Sequence, residues 1–273
     1  MALSKAQLAK LKEINNDPVK WAQVFLVTYD KTLKRDTPWT ARWYQSQMIK
    51  DKSKKKVYRC GRRTGKSECM VVESLYNACN HRNYRVLLIT PYENQIRLLF
   101  QRINELRNSS PLLNARVVSA TKNPYKIEFD NGSLIMGFTT GASSGSSGAS
   151  IRGQAADLLI LDECDYMADG DFDSILMIAG ERPDIRVIMS STPTGKRGNF
   201  YKCCTDKTAG YTEHYHPSTH NPGWNDEMEA EFRAILSEQG YVHEVLAEFG
   251  SQELGVFDKI KLDKAIHMLD YAY

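Results

Sequence analysis

The chain is 273 residues long, 42 % hydrophobic and 25 % charged, with a formal net charge of +3. That apolar content is enough for a packed core and excludes a wholly disordered chain, and no run approaches the ~18–20 apolar residues of a membrane span. The length allows one large domain or two small ones, and so mild a charge does not by itself imply a nucleic-acid partner.

The N-terminus has no apolar block ending in a cleavage site, so no signal peptide is expected. Cys60, Cys69, Cys79 and Cys164 lie in or beside apolar runs. They read as buried free thiols in a reducing, cytosolic compartment.

Residues 3–27 carry helical spacing, with Pro18 suited to a first helical position. A polar stretch ends at Pro38, and Trp43 to Ile49 fits a short helix. Lys50, Lys52, Lys54, Lys55 and Lys56 follow. They form either a solvated loop or a surface for nucleic-acid phosphates. Val57–Cys60 reads as a strand, Ser67–Cys79 as a helix and Arg85–Thr90 as a second strand. Glu93–Leu106 is amphipathic, with Ile96, Leu99, Phe100, Ile103 and Leu106 on one stripe. Arg116–Val118 suggests a short strand, and Asn131-Gly132 predicts a hairpin between 126–130 and 133–138. Gly141–Ser150 holds only Gly, Ser and Ala and predicts a mobile loop. Leu158–Leu161 and Arg186–Met189 read as strands buried on both faces, and Tyr211–Tyr215 as a further strand. Strands and helices alternate, so the expected fold is α/β, a mostly parallel sheet flanked by helices on both faces.

The segment Cys60-Gly61-Arg62-Arg63-Thr64-Gly65-Lys66-Ser67 approaches the pattern G-x-x-x-x-G-K-[ST], with Cys60 in place of the first glycine. A strand precedes it and a helix follows. Backbone N–H groups at such a helix start form an anion cup. Gly61, Arg63, Thr64 and Gly65 would build that cup, Lys66 would reach the β- and γ-phosphates, and the Ser67 hydroxyl would ligate Mg²⁺. The apolar run Leu158–Leu161 ends in Asp162-Glu163. Asp162 would hold the metal, and Glu163 would orient and deprotonate a water. Ser191 and Thr192, after another buried strand, are placed to sense the γ-phosphate. ATP and Mg²⁺ are therefore the expected ligands. Cys60 is either a thiol activated by the arginines and the helix start, or a space-filler at a strand end. Cys203, Cys204, His214, His216 and His220 lack a C-x-x-C pair and do not read as a zinc site.

These motifs resemble the large terminase subunit of tailed bacteriophages and related viruses, a DNA-packaging motor. Gly61–Ser67 is similar to its arginine-bearing P-loop, Leu159–Glu163 to its acidic strand and Ser190–Gly195 to its coupling motif. The resemblance implies a RecA-like P-loop NTPase of the additional-strand, conserved-glutamate type with an N-terminal helical extension. It implies that Tyr44 and Gln45, in Trp43-Tyr44-Gln45, read adenine. It also implies that Arg62 and Arg152 stabilise the transition state: Arg62 either does so in cis or forms a structural salt bridge to Glu163 or Asp165, and Arg152, in Ile151-Arg152-Gly153, either reaches in from a neighbouring subunit or is a hinge residue on a flexible loop. Asn221–Trp224 and Glu244–Phe249 look like segments closing the ATPase domain. Residues 1–37 would be a helical lead-in, 1–250 the ATPase domain, and 251–273 the start of a linker. A nuclease domain, and hence DNA cleavage, is not expected in this chain.

The implied partners are double-stranded DNA, a portal protein and a terminase small subunit. The implied assembly is a homo-oligomeric ring, with the isolated domain a monomer, in the host cytoplasm and away from membranes. Two alternatives are a helicase-like DNA-dependent ATPase and a nucleotide-gated assembly scaffold without efficient hydrolysis.

Overall fold

The computed structural model describes residues 4–140, 151, 154–180 and 184–250. α1 (Lys5–Asn16) begins at a capping box made by Ser4 and Gln7. α2 (Pro18–Phe25) begins where the Asp17 carboxylate accepts from the N–H groups of Val19 and Lys20. The lead-in expected to be helical as far as residue 37 stops being helical at Phe25. It continues as a hairpin of β1 (Val27–Asp30) and β2 (Arg35–Pro38). Asp30 builds the turn by accepting from the N–H groups of Thr32 and Leu33 at 2.8 and 2.9 Å. That is local side-chain chemistry, with no hydrophobic period to announce it.

The main body follows in order: α3 (Trp43–Lys50), β3 (Lys55–Cys60), α4 (Lys66–Asn80), β4 (Arg85–Thr90), α5 (Glu93–Asn108) and α6 (Pro111–Ala115). Then come β5 (Val117–Lys122), β6 (Tyr125–Phe129), β7 (Leu134–Thr139), β8 (Leu158–Asp162), α7 (Asp169–Gly180) and β9 (Arg186–Ser191). α8 (Asn199–Thr205), β10 (Thr212–His216), α9 (Asp226–Ile235) and α10 (Glu238–Glu244) complete it. Eight strands form one sheet in the order β10-β3-β9-β8-β4-β7-β6-β5. The six from β10 to β7 are parallel, while β6 and β5 add antiparallel at one edge.

Both faces of the sheet are covered, as the alternation of strands and helices requires. Along β8, Leu158 and Ile160 pack in one core with Met70 and Val72 of α4 and Ile96 and Ile103 of α5. Leu159 and Leu161 pack in a second core with Phe172 and Ile175 of α7 and Phe200 of α8. A strand buried on two faces sends successive side chains into different cores, which explains its unbroken apolar run. The stripe predicted on α5 is buried throughout.

The lysine run is not one solvated surface. Lys56 is fully buried, and its ammonium donates to Glu73 Oε1 and to the Met48 carbonyl, both at 2.8 Å. Lys50 pairs with Asp17, and Lys55 lies over the Tyr211 ring. Residues 141–150, expected as a loop, and 251–273, expected as a linker, lie outside the described residues.

Candidate active site

Because β10, β3, β9, β8 and β4 are parallel, their C-terminal tips share one edge, the place where open α/β sheets bind ligands. Registry pairs Ser191 with Arg59 of β3 and Ser190 with Asp162 of β8. The lysine-bearing turn, the hydroxyl segment and the acidic pair therefore meet there in that order.

The turn from β3 into α4 is tightly packed. A Cβ on Gly61 would fall 2.5 Å from both Ser218 Oγ and the Val245 carbonyl, so only glycine fits. Arg63 and Gly65 adopt left-handed φ values of 61° and 81°, which turn the chain into the start of α4. Thr64 is buried and its hydroxyl donates to the Gly61 carbonyl at 2.9 Å. The turn's carbonyls are claimed from α3. Tyr44 OH donates to Thr64 O at 2.8 Å, and Arg42 Nη1 donates to Arg63 O at 2.9 Å. Gln45 Nε2 donates to the carbonyls of Thr64 and Gly65, both at 3.3 Å. Gly65 caps α4 without a side chain, so no cap competes for the first-turn N–H groups. The residues expected to read adenine are thus found bracing the phosphate turn. Trp43 stands beside them, with its ring centroid 5.6 Å from that of His216 and 5.2 Å from that of His220.

Lys66 extends from this turn to Glu163, with Nζ 3.2 Å from Oε1. Burial opposes the charge on Lys66, but the Glu163 and Asp162 carboxylates hold its pKa above the usual lysine value. Burial, followed by repulsion from Glu163, pushes Asp162 up to about 7. Glu163 sits at φ 50°, which is costly for a residue with a Cβ, at about 1–2 kcal/mol. Its position is over-determined. Its N–H donates to Asp162 Oδ1 at 3.0 Å, and Ser191 Oγ donates to its Oε2 at 3.2 Å. Thr192 is buried beside Ser191. Asp165 ties the same strand tip together by accepting from both the N–H and the hydroxyl of Thr194 at 2.7 Å.

The donor set fits Mg²⁺. Asp162 and the half-buried Ser67 are hard oxygen donors, and this ion ordinarily takes one or two protein ligands beside phosphate oxygens and water. Asp162 is buried at the strand tip, where a bound cation would offset its charge.

The arginines divide. Arg62 forms a two-point pair with Glu244 at the end of α10, with Nε–Oε2 at 2.5 Å and Nη2–Oε1 at 3.0 Å. Arg63 lies over the Phe232 ring of α9 at 5.3 Å. Arg152 lies outside the described residues. Burial raises the Cys60 thiol to about 12, so it is a space-filler and not an activated nucleophile. Sequence reasoning gave Ser218 no role, placed Glu244 only in a segment closing the domain, and offered Asp165 only as a structural partner of Arg62, which the structure instead pairs with Glu244. Their partners are far away in the chain, and no local spacing marks them. A cavity of about 730 Å³ opens at the opposite end of the sheet, lined in part by Lys50, Asp51, Glu73, Tyr84 and Arg186. Glu73 and Arg186 pair within it, and it lies away from the lysine turn and the acids.

Known proteins share this fold. A model of the family "Terminase large subunit, T4likevirus-type, N-terminal" matches residues 57–253. No curated protein matches the chain. Among solved structures, the large terminase ATPase domain of Thermus phage P74-26 is similar with a TM-score of 0.62 at 19 % identity, over 77 % of this chain and 94 % of that one. The HK97 bacteriophage large terminase is similar with a TM-score of 0.62 at 15 % identity, over 94 % of this chain and 53 % of that one. A large terminase from a thermophilic bacteriophage, in complex with ADP, is similar with a TM-score of 0.58 at 12 % identity, over 76 % and 53 %. At these identities the structures speak for the fold, while the family match spans most of the chain. The chain therefore belongs to the T4-like terminase large-subunit N-terminal family.

Proposed function

We propose that this domain binds ATP with Mg²⁺ at the strand tips and uses its hydrolysis to move double-stranded DNA into a procapsid. The observation that carries this is the meeting of Lys66, Glu163 and Ser191 at one sheet edge. The thermophilic-phage terminase solved with ADP supports nucleotide as the ligand. Gly61–Gly65 cradle the phosphates, Lys66 binds the β- and γ-phosphates, and Ser67 and Asp162 hold the metal, which neutralises phosphate charge when bound. Glu163 takes the proton of the attacking water. Tyr44 and Gln45, beside Trp43, form the base side of the site. Arg62 in cis and Arg152 from a neighbouring subunit counter the charge developing on the transferred phosphoryl. Ser191, bonded to Glu163, reports the state of the γ-phosphate to the rest of β9.

DNA contact falls mainly on phosphates, so affinity for DNA declines as salt rises. Portal protein and small subunit are the docking partners, in the host cytoplasm. The working form is a ring of copies, and DNA cleavage forms no part of this domain's work.

Phosphate release measured with and without DNA tests the proposal. Glu163→Gln is expected to lower kcat by about 10²–10⁴-fold while leaving nucleotide binding in place. Unchanged turnover in that variant overturns the catalytic assignment.

A further inference from the structure

Four successive carbonyls of the turn from β3 into α4 are occupied by hydrogen-bond donors. Gly61 O accepts from Thr64 Oγ1 at 2.9 Å, and Thr64 O accepts from Tyr44 OH at 2.8 Å. The two between them are met from far along the chain, by the single helical turn Ser218–His220 and the residue after it. Ser218 Oγ donates to Arg62 O at 2.7 Å. Asn221 Nδ2 donates to Arg63 O at 3.0 Å, beside Arg42 Nη1 at 2.9 Å. Both distant donors are fixed. Ser218 is 1 % exposed, and its N–H donates to the Val245 carbonyl at 2.7 Å. Asn221 Oδ1 accepts from the Gly223 N–H at 3.1 Å, which leaves its amide nitrogen for the turn.

In a planar trans peptide the C=O and the following N–H point in opposite directions. Ser218 and Asn221, by holding the carbonyls of Arg62 and Arg63, therefore aim the N–H groups of Arg63 and Thr64 the other way. The start of α4 adds N–H groups with neither an intrahelical partner nor a side-chain cap, and such a convergence of donors is what binds an anion. Arg63 needs the hold most, since its φ of 61° lies where residues with a side chain seldom rest.

We propose that Ser218 and Asn221 form a latch on the phosphate turn. They are positioning residues that keep the anion cup formed before a nucleotide arrives, and they act through the turn's backbone without touching the nucleotide. The proposal rests on the reading of this turn as the nucleotide's phosphate cup. The phosphates that the backbone of such a cup holds, α and β, are common to ATP and ADP. The latch therefore serves both nucleotides alike, and it acts on binding and not on the chemical step.

The test measures ATP and ADP affinity, with kcat and KM for phosphate release. The proteins compared are the unaltered chain, Ser218→Ala, Asn221→Ala, Arg63→Gly, Lys66→Ala and the double variant Arg63→Gly/Asn221→Ala. Each alanine in the latch is expected to weaken both nucleotides by the same factor, roughly three- to ten-fold, and to raise KM at nearly constant kcat. Glycine takes a left-handed φ without strain, so in the Arg63→Gly background Asn221→Ala should cost under about two-fold. Should Asn221→Ala fold poorly, Ser218→Ala still decides, because it removes one oxygen and keeps the N–H bond to Val245. Four outcomes overturn the latch: unchanged affinity in both alanine variants, a loss confined to ATP, a fall in kcat at constant KM, or an Asn221→Ala loss undiminished in the Arg63→Gly background. The underlying reading fails separately. An unaltered chain that binds neither nucleotide, or Lys66→Ala that binds both as well as the unaltered chain does, overturns the phosphate cup itself. If Lys66→Ala loses binding while the latch variants keep it, only the latch falls.

Discussion

Each end of the parallel sheet holds a lysine in contact with a glutamate, and the two pairs are built to opposite specifications. At the N-terminal end, Lys56 and Glu73 have side chains 0 % and 2 % exposed. Glu73 also accepts from Tyr58 OH at 2.6 Å and from Arg186 at 3.2 Å, so its charge is enclosed and its oxygens are used. At the C-terminal tips, Lys66 and Glu163 are 9 % and 19 % exposed and touch at 3.2 Å. The same chemical pair is thus saturated where it only holds α4 against β3 and β9. It is left with spare capacity at the tips, where the proposed nucleotide would enter. The difference teaches that an ion pair is read by what else its atoms bind. A buried pair with no capacity left is architecture, and a strained pair with capacity left is a site.

Substitutions can break this contrast, beginning with the largest effect. Glu73→Gln leaves Lys56 and Arg186 charged with no counter-ion in the core. It is expected to cost about 3–5 kcal/mol in chemical denaturation, with the specific activity of the surviving folded fraction unchanged. Lys66→Ala should do the reverse, lowering kcat/KM by about 10²–10³-fold while the fold persists in thermal unfolding. If the stability loss falls on Lys66 and the activity loss on Glu73, the contrast is wrong. Ser191→Ala removes one anchor of Glu163 and should reduce kcat by up to about tenfold with little change in nucleotide affinity.

The smallest effect concerns acid stability. Burial, aided by His220 and His214, depresses His216 from 6.5 to about 4. Below pH 6.5 the unfolded chain takes up a proton that the folded one refuses, so this contribution is intact above 6.5 and is lost as pH falls toward 4. His216→Gln should flatten the pH dependence of the melting temperature in that window. Parallel curves for the two proteins would exclude it.

Much of this was legible in the sequence because it follows from local periods and spacing. The buried run Leu158–Leu161, the stripe on α5 and the Asn131-Gly132 turn, where Gly132 takes φ 80°, all form as patterned. The lysine turn and the acidic pair were legible for the same reason. Features decided by contacts across the chain were not. Lys56 sat in a run that looked solvated, and only the fold brings Glu73 beneath it. Arg62 gave no sign that its partner lies at Glu244, nor Arg63 that an α9 ring lies under it. The hairpin at 27–38 rests on a single aspartate turn inside a polar stretch, where hydrophobic patterning is silent.

The interposition of β9 between β3 and β8 has a consequence in plain dimensions. Neighbouring strands run ~4.8 Å apart, so the backbones that launch the lysine turn and the acids stand ~10 Å from each other. That gap is too wide for the two backbones to close on each other, and it is of a size to admit a chain of phosphates with a hydrated ion. The intervening strand thus sets the bore of the site before any side chain is chosen, and the gauge is a hydrogen-bonded ladder that point substitutions do not alter.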